Sequence, residues 1–310
     1  MTTATTATRS ESVRNRWILG ATCSVTIAAI IWITLLTTAW QPWRQMSLLA
    51  VSVYSGLKLL SLAEFLGRPV RGGNFFISPI RTCGYLLCWP GMDPRPFFAN
   101  VLGTARPRWT EWVSASGKFF AGIALVTLAA RYVSAAPFTA GWIGAVGLLL
   151  MLHFGLFHIL SVAWRHIGIA ATPIMRTPLF AASLADFWGK RWNLAFRDWA
   201  HTFVFRPALR RVGAAAATMF VFLASGVLHD LVISIPAGAG YGWPTAYFVF
   251  QGAGLLFERT NIAKQLRIGR GGSVGHAYTL VVVLAPVGLL FHRPFIEGVI
   301  APLLTVASGI

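Results

Sequence analysis

Long uninterrupted blocks of apolar residues, separated by segments where Arg, Gly, Pro and Trp concentrate, set the pattern of the chain. Several blocks approach the ~20 residues that a helix rising 1.5 Å per residue needs to cross the hydrocarbon core of a bilayer. They predict membrane spans near residues 17–40, 46–64, 118–135, 141–164, 212–235, 243–258, 274–291 and 295–309, eight in all with one either way. The blocks at 243–258 and 295–309 are short, which suits little tilt, extension into the interface, or a re-entrant pair. The expected fold is one all-α polytopic bundle over residues 1–310, with a tail at 1–16 and two long loops, 65–117 and 165–211. The first block follows Arg9, Arg14 and Arg16 as a signal sequence would. It is longer than a signal core and no small-x-small cleavage site ends it, so a retained span is expected.

Composition agrees with this pattern. Of 310 residues, 56% are hydrophobic and 11% charged, against roughly 25% charged in a soluble domain. Such a chain cannot cover a water-facing surface. The net charge of +17 would suggest nucleic acid in a soluble protein; here the position of the charges decides its meaning. Basic residues gather in the tail, in the two long loops and in Arg259 to Arg270. The opposite loops hold only Arg44 and Arg293, while Lys58 and Arg131 fall inside spans. By the positive-inside rule both termini are cytoplasmic and the number of spans is even. The partner implied is the lipid bilayer of a bacterial plasma membrane or endoplasmic reticulum, not nucleic acid. Cys23, Cys83 and Cys88 show no paired spacing, so no disulfide framework and no metal site are expected.

The two long loops are aromatic-rich. The first contains Arg68-Pro-Val-Arg-Gly-Gly-Asn-Phe-Phe and Trp89-Pro-Gly-Met-Asp-Pro-Arg-Pro-Phe-Phe, where Pro and Gly rule out long helices and predict a packed, irregular membrane-face loop. In the second, Ser183 and Asp186 form a capping-box pattern and Pro207 should stop the helix that starts there. Trp188, Trp192, Phe196, Trp199 and Phe203 recur at helical spacing between them, as on an interfacial helix with an aromatic face.

A polar side chain near the bilayer centre costs roughly 2.5–3.5 kcal/mol on insertion scales and calls for a partner or a task. His229 ends a stretch from Val212 to Leu228 that contains no ionisable group, and Asp230 follows it. Neighbouring helical residues point about 100° apart, so the two need separate partners; Ser225 shares the face of His229. A core histidine and a functional one are both open on these grounds. His153 and His158 lie five residues apart, a spacing poorly suited to sharing a metal or proton. Glu258, at a predicted span end, looks like an ordinary boundary residue. Gly269-Arg-Gly-Gly-Ser-Val-Gly275 lacks the Gly-Lys-Ser/Thr ending of a phosphate loop and predicts a flexible turn.

The run Phe187-Trp-Gly-Lys-Arg-Trp-Asn193, continuing through Phe196-Arg-Asp-Trp199 and Phe205-Arg-Pro207, resembles the signature of the wax synthase-like branch of the membrane-bound O-acyltransferases. In that superfamily an aromatic motif ending in Trp-Asn precedes an intramembrane histidine, matched here by Asn193 and His229. The runs Ser225-Gly-Val-Leu-His-Asp230, Trp89-Pro-Gly-Met-Asp93 and Leu290-Phe-His-Arg-Pro-Phe295 are similar to segments of the same branch, so the likeness covers residues 65–300. It implies a helical bundle with a tunnel and acyl-CoA as donor co-substrate, with no bound cofactor. The acceptor would be a lipophilic alcohol: fatty, terpenoid or polyketide. His229 would be the general base and Asn193 would orient or polarise the reacting groups. Trp188, Trp192, Arg191, Ser225 and Asp230 would contact substrate. The alternative is a non-enzymatic transporter or scaffold of helical-bundle type. No internal repeat supports the former.

Overall fold

The computed structural model describes residues 2–67, 75–99, 106–269 and 271–308; residues 68–74 of the first loop motif and Arg270 lie outside them. Among the described residues the fold is helical, joined by turns and a single β-bridge between Phe75 and Ala99. α1 (Thr2–Leu36) and α2 (Pro42–Leu66) form an antiparallel pair. The first loop folds into α3 (Pro79–Cys88), capped by the Ser78 hydroxyl, and the short α4 (Arg95–Phe98). α5 (Trp109–Tyr132) packs on α6 (Pro137–Leu149), which runs through a π-helical segment, Leu150–Leu156, into α7 (Phe157–His166). The second loop contains α8 (Leu184–Asp186) and α9 (Leu194–Ala200), followed by α10 (Arg206–Ala237), α11 (Trp243–Glu258) and α12 (Asn261–Gln265). α13 (Gly272–Leu284), α14 (Val287–Leu290), α15 (Arg293–Phe295) and α16 (Ala301–Ser308) complete the bundle.

Six stretches are long and apolar enough to cross a membrane by length and composition: Trp17–Leu36, Pro42–Leu66, Trp109–Tyr132, Pro137–His166, Leu194–Ala237 and Gly272–Leu290. The two short blocks are the ones left out. α11 has 16 residues, and the C-terminal block is divided between α15, a π-helical turn at Ile296–Ile300 and α16. The six stretches do not confirm a count of eight; the two short blocks form short helices packed in the bundle. The chain is an all-α, polytopic helical bundle.

Side chains are arranged in two apolar clusters. One, around Phe187, Phe222, Phe248, Phe295 and Leu304, joins α6, α10, α11 and the C-terminal segment. The other, around Tyr85, Trp89, Met92, Phe97, Met175 and Ala195, joins the first loop to the second. Trp192 packs against both. α10 and α11 approach closely because Gly226 faces Thr245, where a Cβ would stand 2.6 Å from the Thr245 Cα. Small residues at such crossings let helix backbones meet in an apolar medium that offers no hydrophobic drive to associate.

The single helix predicted from Ser183 to Pro207 is broken in several places. Ser183 does cap its start, accepting the Asp186 N–H at 3.0 Å. A π-helical turn then covers Phe187–Arg191, Asn193 takes a left-handed φ of 41°, and a second π-helical turn spans His201–Phe205. Pro207 does not stop a helix. It sits in the first turn of α10, directly behind the π-helical turn His201–Phe205 and in helical backbone that runs on from α9. Gly213, at φ 78°, makes the break that separates this first turn from the long apolar part of α10.

Candidate active site

The aromatic run and the intramembrane histidine meet around a cavity of about 220 Å³. Its buried end is made by Thr218, Phe222 and Ser225 of α10 and Phe248 of α11. Half-buried Trp188, Trp192, Asn193 and His229 line it farther along, and exposed Arg197 and His201 line the other end. Trp188 stands between α10 and α11, with its ring centroid 5.6 Å from Phe222 and 5.8 Å from Phe248. Its indole N–H is buried and finds no acceptor among the described residues. Trp192 stacks on Phe187 at 5.5 Å.

His229 is oriented by its own helix. Its Nδ1 lies 2.7 Å from the Ser225 carbonyl oxygen, one turn back, so this nitrogen carries the proton and donates. Nε2 is left as the basic nitrogen. The ring is held from the side by Phe248, with centroids 4.5 Å apart. Ser225 thus contributes its main chain to the histidine, and no hydroxyl-to-imidazole pair of the kind a serine nucleophile needs is formed.

Asn193 is positioned by the left-handed turn that a short polar side chain tolerates best. Its Oδ1 accepts the Phe196 N–H at 3.2 Å, capping α9, and its own N–H points at the Met175 sulfur at 3.2 Å. The amide Nδ2 has no protein acceptor among the described residues and remains an available donor on a residue that lines the cavity.

Five of the seven residues singled out from the sequence, Trp188, Trp192, Asn193, Ser225 and His229, line this one cavity. Arg191 and Asp230 do not. Arg191 pairs with Asp186 at 2.6 Å and donates to the Thr177 carbonyl and hydroxyl at 3.2 Å, bracing the second loop. Asp230 ties the α10–α11 hairpin. Its Oδ1 accepts from the Ser234 hydroxyl and the Gly242 N–H, both at 2.8 Å. Its Oδ2 accepts from the Thr245 N–H at 3.0 Å and from the Thr245 hydroxyl. These are structural duties, imposed by the orphan N–H groups at the start of α11.

Other expectations also shift. Glu258 is no plain boundary residue: it is buried and accepts the Leu184 N–H at 2.6 Å, closing the start of α8 from a distant helix. His153 and His158 take separate surroundings, the first edge-on to Phe157 at 5.3 Å, the second 3.5 Å from the Lys118 amine. Among the described residues no cluster of His, Cys, Asp and Glu could hold a metal ion. Arg197 was not anticipated as a cavity residue. Its guanidinium lines the exposed end while bonding Asp198 and, at 2.7 Å, the Gly189 carbonyl. A basic residue one turn after the Trp-Asn motif was the available signal.

Residues 171–251 match the model of the "Membrane bound O-acyl transferase family", and every residue that lines the cavity falls inside that segment. Among curated proteins, 142 residues are 29% identical to the long-chain-alcohol O-fatty-acyltransferase of Simmondsia chinensis, covering 42% of this chain and 40% of that protein. The chain is similar to the wax synthase-like branch of the membrane-bound O-acyltransferases. The probable long-chain-alcohol O-fatty-acyltransferase 7 of Arabidopsis thaliana is 35% identical over 145 residues, 43% of this chain and 42% of its own length. The acyl-CoA–sterol O-acyltransferase 1 of the same plant is 29% identical over 83 residues, 24% of each chain. The chain thus spans well under half the length of these relatives.

Proposed function

We propose that this protein transfers an acyl group from acyl-CoA to the hydroxyl of a lipophilic alcohol, forming an ester. The observation that carries this reading is the imidazole of His229, with Nδ1 fixed on a backbone carbonyl, sharing one largely aromatic cavity with the uncommitted amide donor of Asn193. In the proposed reaction Nε2 takes the proton of the alcohol as its oxygen attacks the thioester carbonyl. Asn193 Nδ2 donates to the oxygen that becomes negative. The C–S bond then breaks, and the proton passes from His229 to the departing thiolate. Base catalysis of this kind is worth ~10²–10⁴-fold, and a preorganised oxyanion donor ~10²–10³-fold.

The two ends of the cavity suit the two substrates. Arg197 and His201 at the exposed end, with Arg206, Arg210 and Arg211 exposed on the following turns, offer charge to the phosphates of CoA. Phe222 and Phe248 at the buried end, with Trp188 against both rings, form a surface for hydrocarbon. In this reading the donor enters from the cytoplasmic side, with both termini on that side, and the concentration of basic residues in the long loops supports it. The test is thiol release and ester formation from purified protein in detergent, using a panel of acyl-CoAs and alcohols beside the His229→Ala variant. Release that needs both substrates and His229 supports the reading; transfer that survives in His229→Ala refutes the mechanism.

A further inference from the structure

Lys58 lies in the middle of α2, and its side chain is buried, with 1% of the residue exposed. Burial of an ammonium in an apolar bundle is tolerated only when each of its protons has a partner. Lys58 meets that demand without a carboxylate. Its Nζ donates to the Trp89 carbonyl at 2.7 Å and to the Gly91 carbonyl, and it stands 3.6 Å from the ring centroid of Tyr85. Two carbonyls and one aromatic face match its three N–H donors.

The same turn is held by two phenols. Tyr54, one helical turn before Lys58, donates to the Trp89 carbonyl at 2.8 Å, and Tyr85 donates to the Met92 carbonyl at 2.8 Å. The Trp89 indole folds over Gly91 and leaves no room there for a Cβ. These contacts account for the Trp89-Pro-Gly-Met run, which the acyl-transfer scheme leaves without a role. Carbonyls of the turn converge on a single amine nitrogen, and that donor is supplied by the protein itself.

This turn lies beneath the motif that carries the candidate site. Trp89, Met92, Phe97 and Phe98 belong to the apolar cluster that includes Met175 and Ala195, with Trp192 and Trp199 packed against it. Met175 is the residue whose sulfur meets the Asn193 N–H. Asp93 and Arg95, which follow the turn and pair with each other at 2.9 Å, are within electrostatic reach of Asp198, the partner of Arg197.

We propose that Lys58 is a positioning residue of the acyl-transfer site: its buried amine fixes the Trp89–Met92 turn, and that turn is the platform on which Asn193 and Arg197 are set. This rests on the acyl-transfer reading for its kinetic consequence, but not for its structural one. A shift of 1 Å in a reacting group costs ~100-fold in turnover, so Lys58→Met, similar in length but without the donor, is expected to lower kcat by that order. Acceptor KM should move little, because the buried end of the cavity is built from α10 and α11.

The test pairs kinetics with hydrogen exchange. Lys58→Met and Lys58→Ala are compared with the wild type for kcat, for both KM values, and for amide exchange in peptides covering residues 192–199 by mass spectrometry. Faster exchange in that segment, with α10 and α11 unchanged, is expected in both variants. Added n-butylammonium should restore slow exchange and turnover to Lys58→Ala and do nothing for the wild type. Tyr85→Phe, which removes the hydroxyl that bonds Met92 and keeps the ring against Lys58, should show a smaller change of the same kind and serves if the lysine variants do not fold. Wild-type exchange at 192–199 in a folded Lys58→Met, or in Tyr85→Phe where the lysine variants are lost, overturns the proposal, as does a Lys58→Ala defect insensitive to the amine. A wild type that transfers no acyl group removes the acyl-transfer reading and leaves the exchange result to decide the platform.

Discussion

The two cavity residues with opposite proposed tasks are held in opposite ways. His229 sits in a regular stretch of α10, and its orienting bond reaches back one turn to Ser225 within the same helix. Asn193 sits where helix is interrupted, between a π-helical turn and α9, and depends on Met175, Phe196 and the aromatic cluster beneath them. The anchor of His229 is a local construction. That of Asn193 is a tertiary one. The proposed proton acceptor should therefore tolerate distant changes that the oxyanion donor does not, because loop-borne groups are only as fixed as the contacts around them.

The largest effect should come from the local element. His229→Ala removes the only imidazole in the cavity wall besides exposed His201, and turnover is expected to fall by ~10²–10⁴-fold with the fold retained. Circular dichroism and gel filtration beside thiol release measure this. Asn193→Ala comes next. It deletes the amide donor, at ~10²–10³-fold in kcat, and the α9 cap, at about 1 kcal/mol. The comparison sharpens here: His229→Ala should leave the unfolding midpoint in detergent nearly unchanged, whereas Asn193→Ala should lower both midpoint and turnover. Equal thermal stability in the two variants would break the distinction between a local and a tertiary anchor.

The same contrast explains what the sequence made legible. The bundle, the long apolar stretches and the isolation of His229 within one of them follow from composition and from the cost of polar groups in lipid, both readable residue by residue. Ser225 as the neighbour of His229 followed from helical periodicity. Periodicity failed between Ser183 and Pro207, where the aromatic spacing that suggested one continuous helix is interrupted by π-helical turns and by the left-handed Asn193. Those breaks come from tertiary demands: Glu258 caps α8 from another helix, and Met175 receives the Asn193 N–H. The position of Asp230 outside the cavity was hidden for a related reason. Its partners, Gly242 and Thr245, are supplied by a hairpin whose geometry no local pattern displays. Lys58 carried the one signal that was available, a charge inside an apolar block, but its carbonyl partners lie more than thirty residues onward.

Asp230 offers a smaller effect that separates stability from chemistry. Asp230→Ala strips acceptors from the Gly242 and Thr245 N–H groups at the start of α11; hydrogen bonds to a charged group contribute ~1.5–3 kcal/mol when buried, and solvent reduces that in this partly exposed network. The unfolding midpoint should fall clearly. Below that midpoint the folded variant should keep most of any acyl transfer, because His229 retains both Ser225 and Phe248. A variant of normal stability with no turnover would return Asp230 to the reacting groups and would make the hairpin, not α10 alone, the unit that orients the base.

The smallest effect belongs to Arg191, which lies next to Trp192 and carries a charge suited to a phosphate, yet is turned away from the cavity. Its guanidinium is about a quarter exposed and committed to Asp186 and Thr177. A partly exposed ion pair contributes ~0.2–1 kcal/mol, so Arg191→Ala should lower the unfolding midpoint slightly and leave the KM for acyl-CoA at its wild-type value. Arg197→Ala, made beside it, should raise that KM and weaken its dependence on ionic strength, since Arg197 lines the exposed end of the cavity. The pair isolates position from charge: both residues are arginines of the second loop, six positions apart in the sequence. If Arg191→Ala raises the donor KM as much as Arg197→Ala does, the donor's phosphates extend along the outer face of the loop and not into the rim of the cavity.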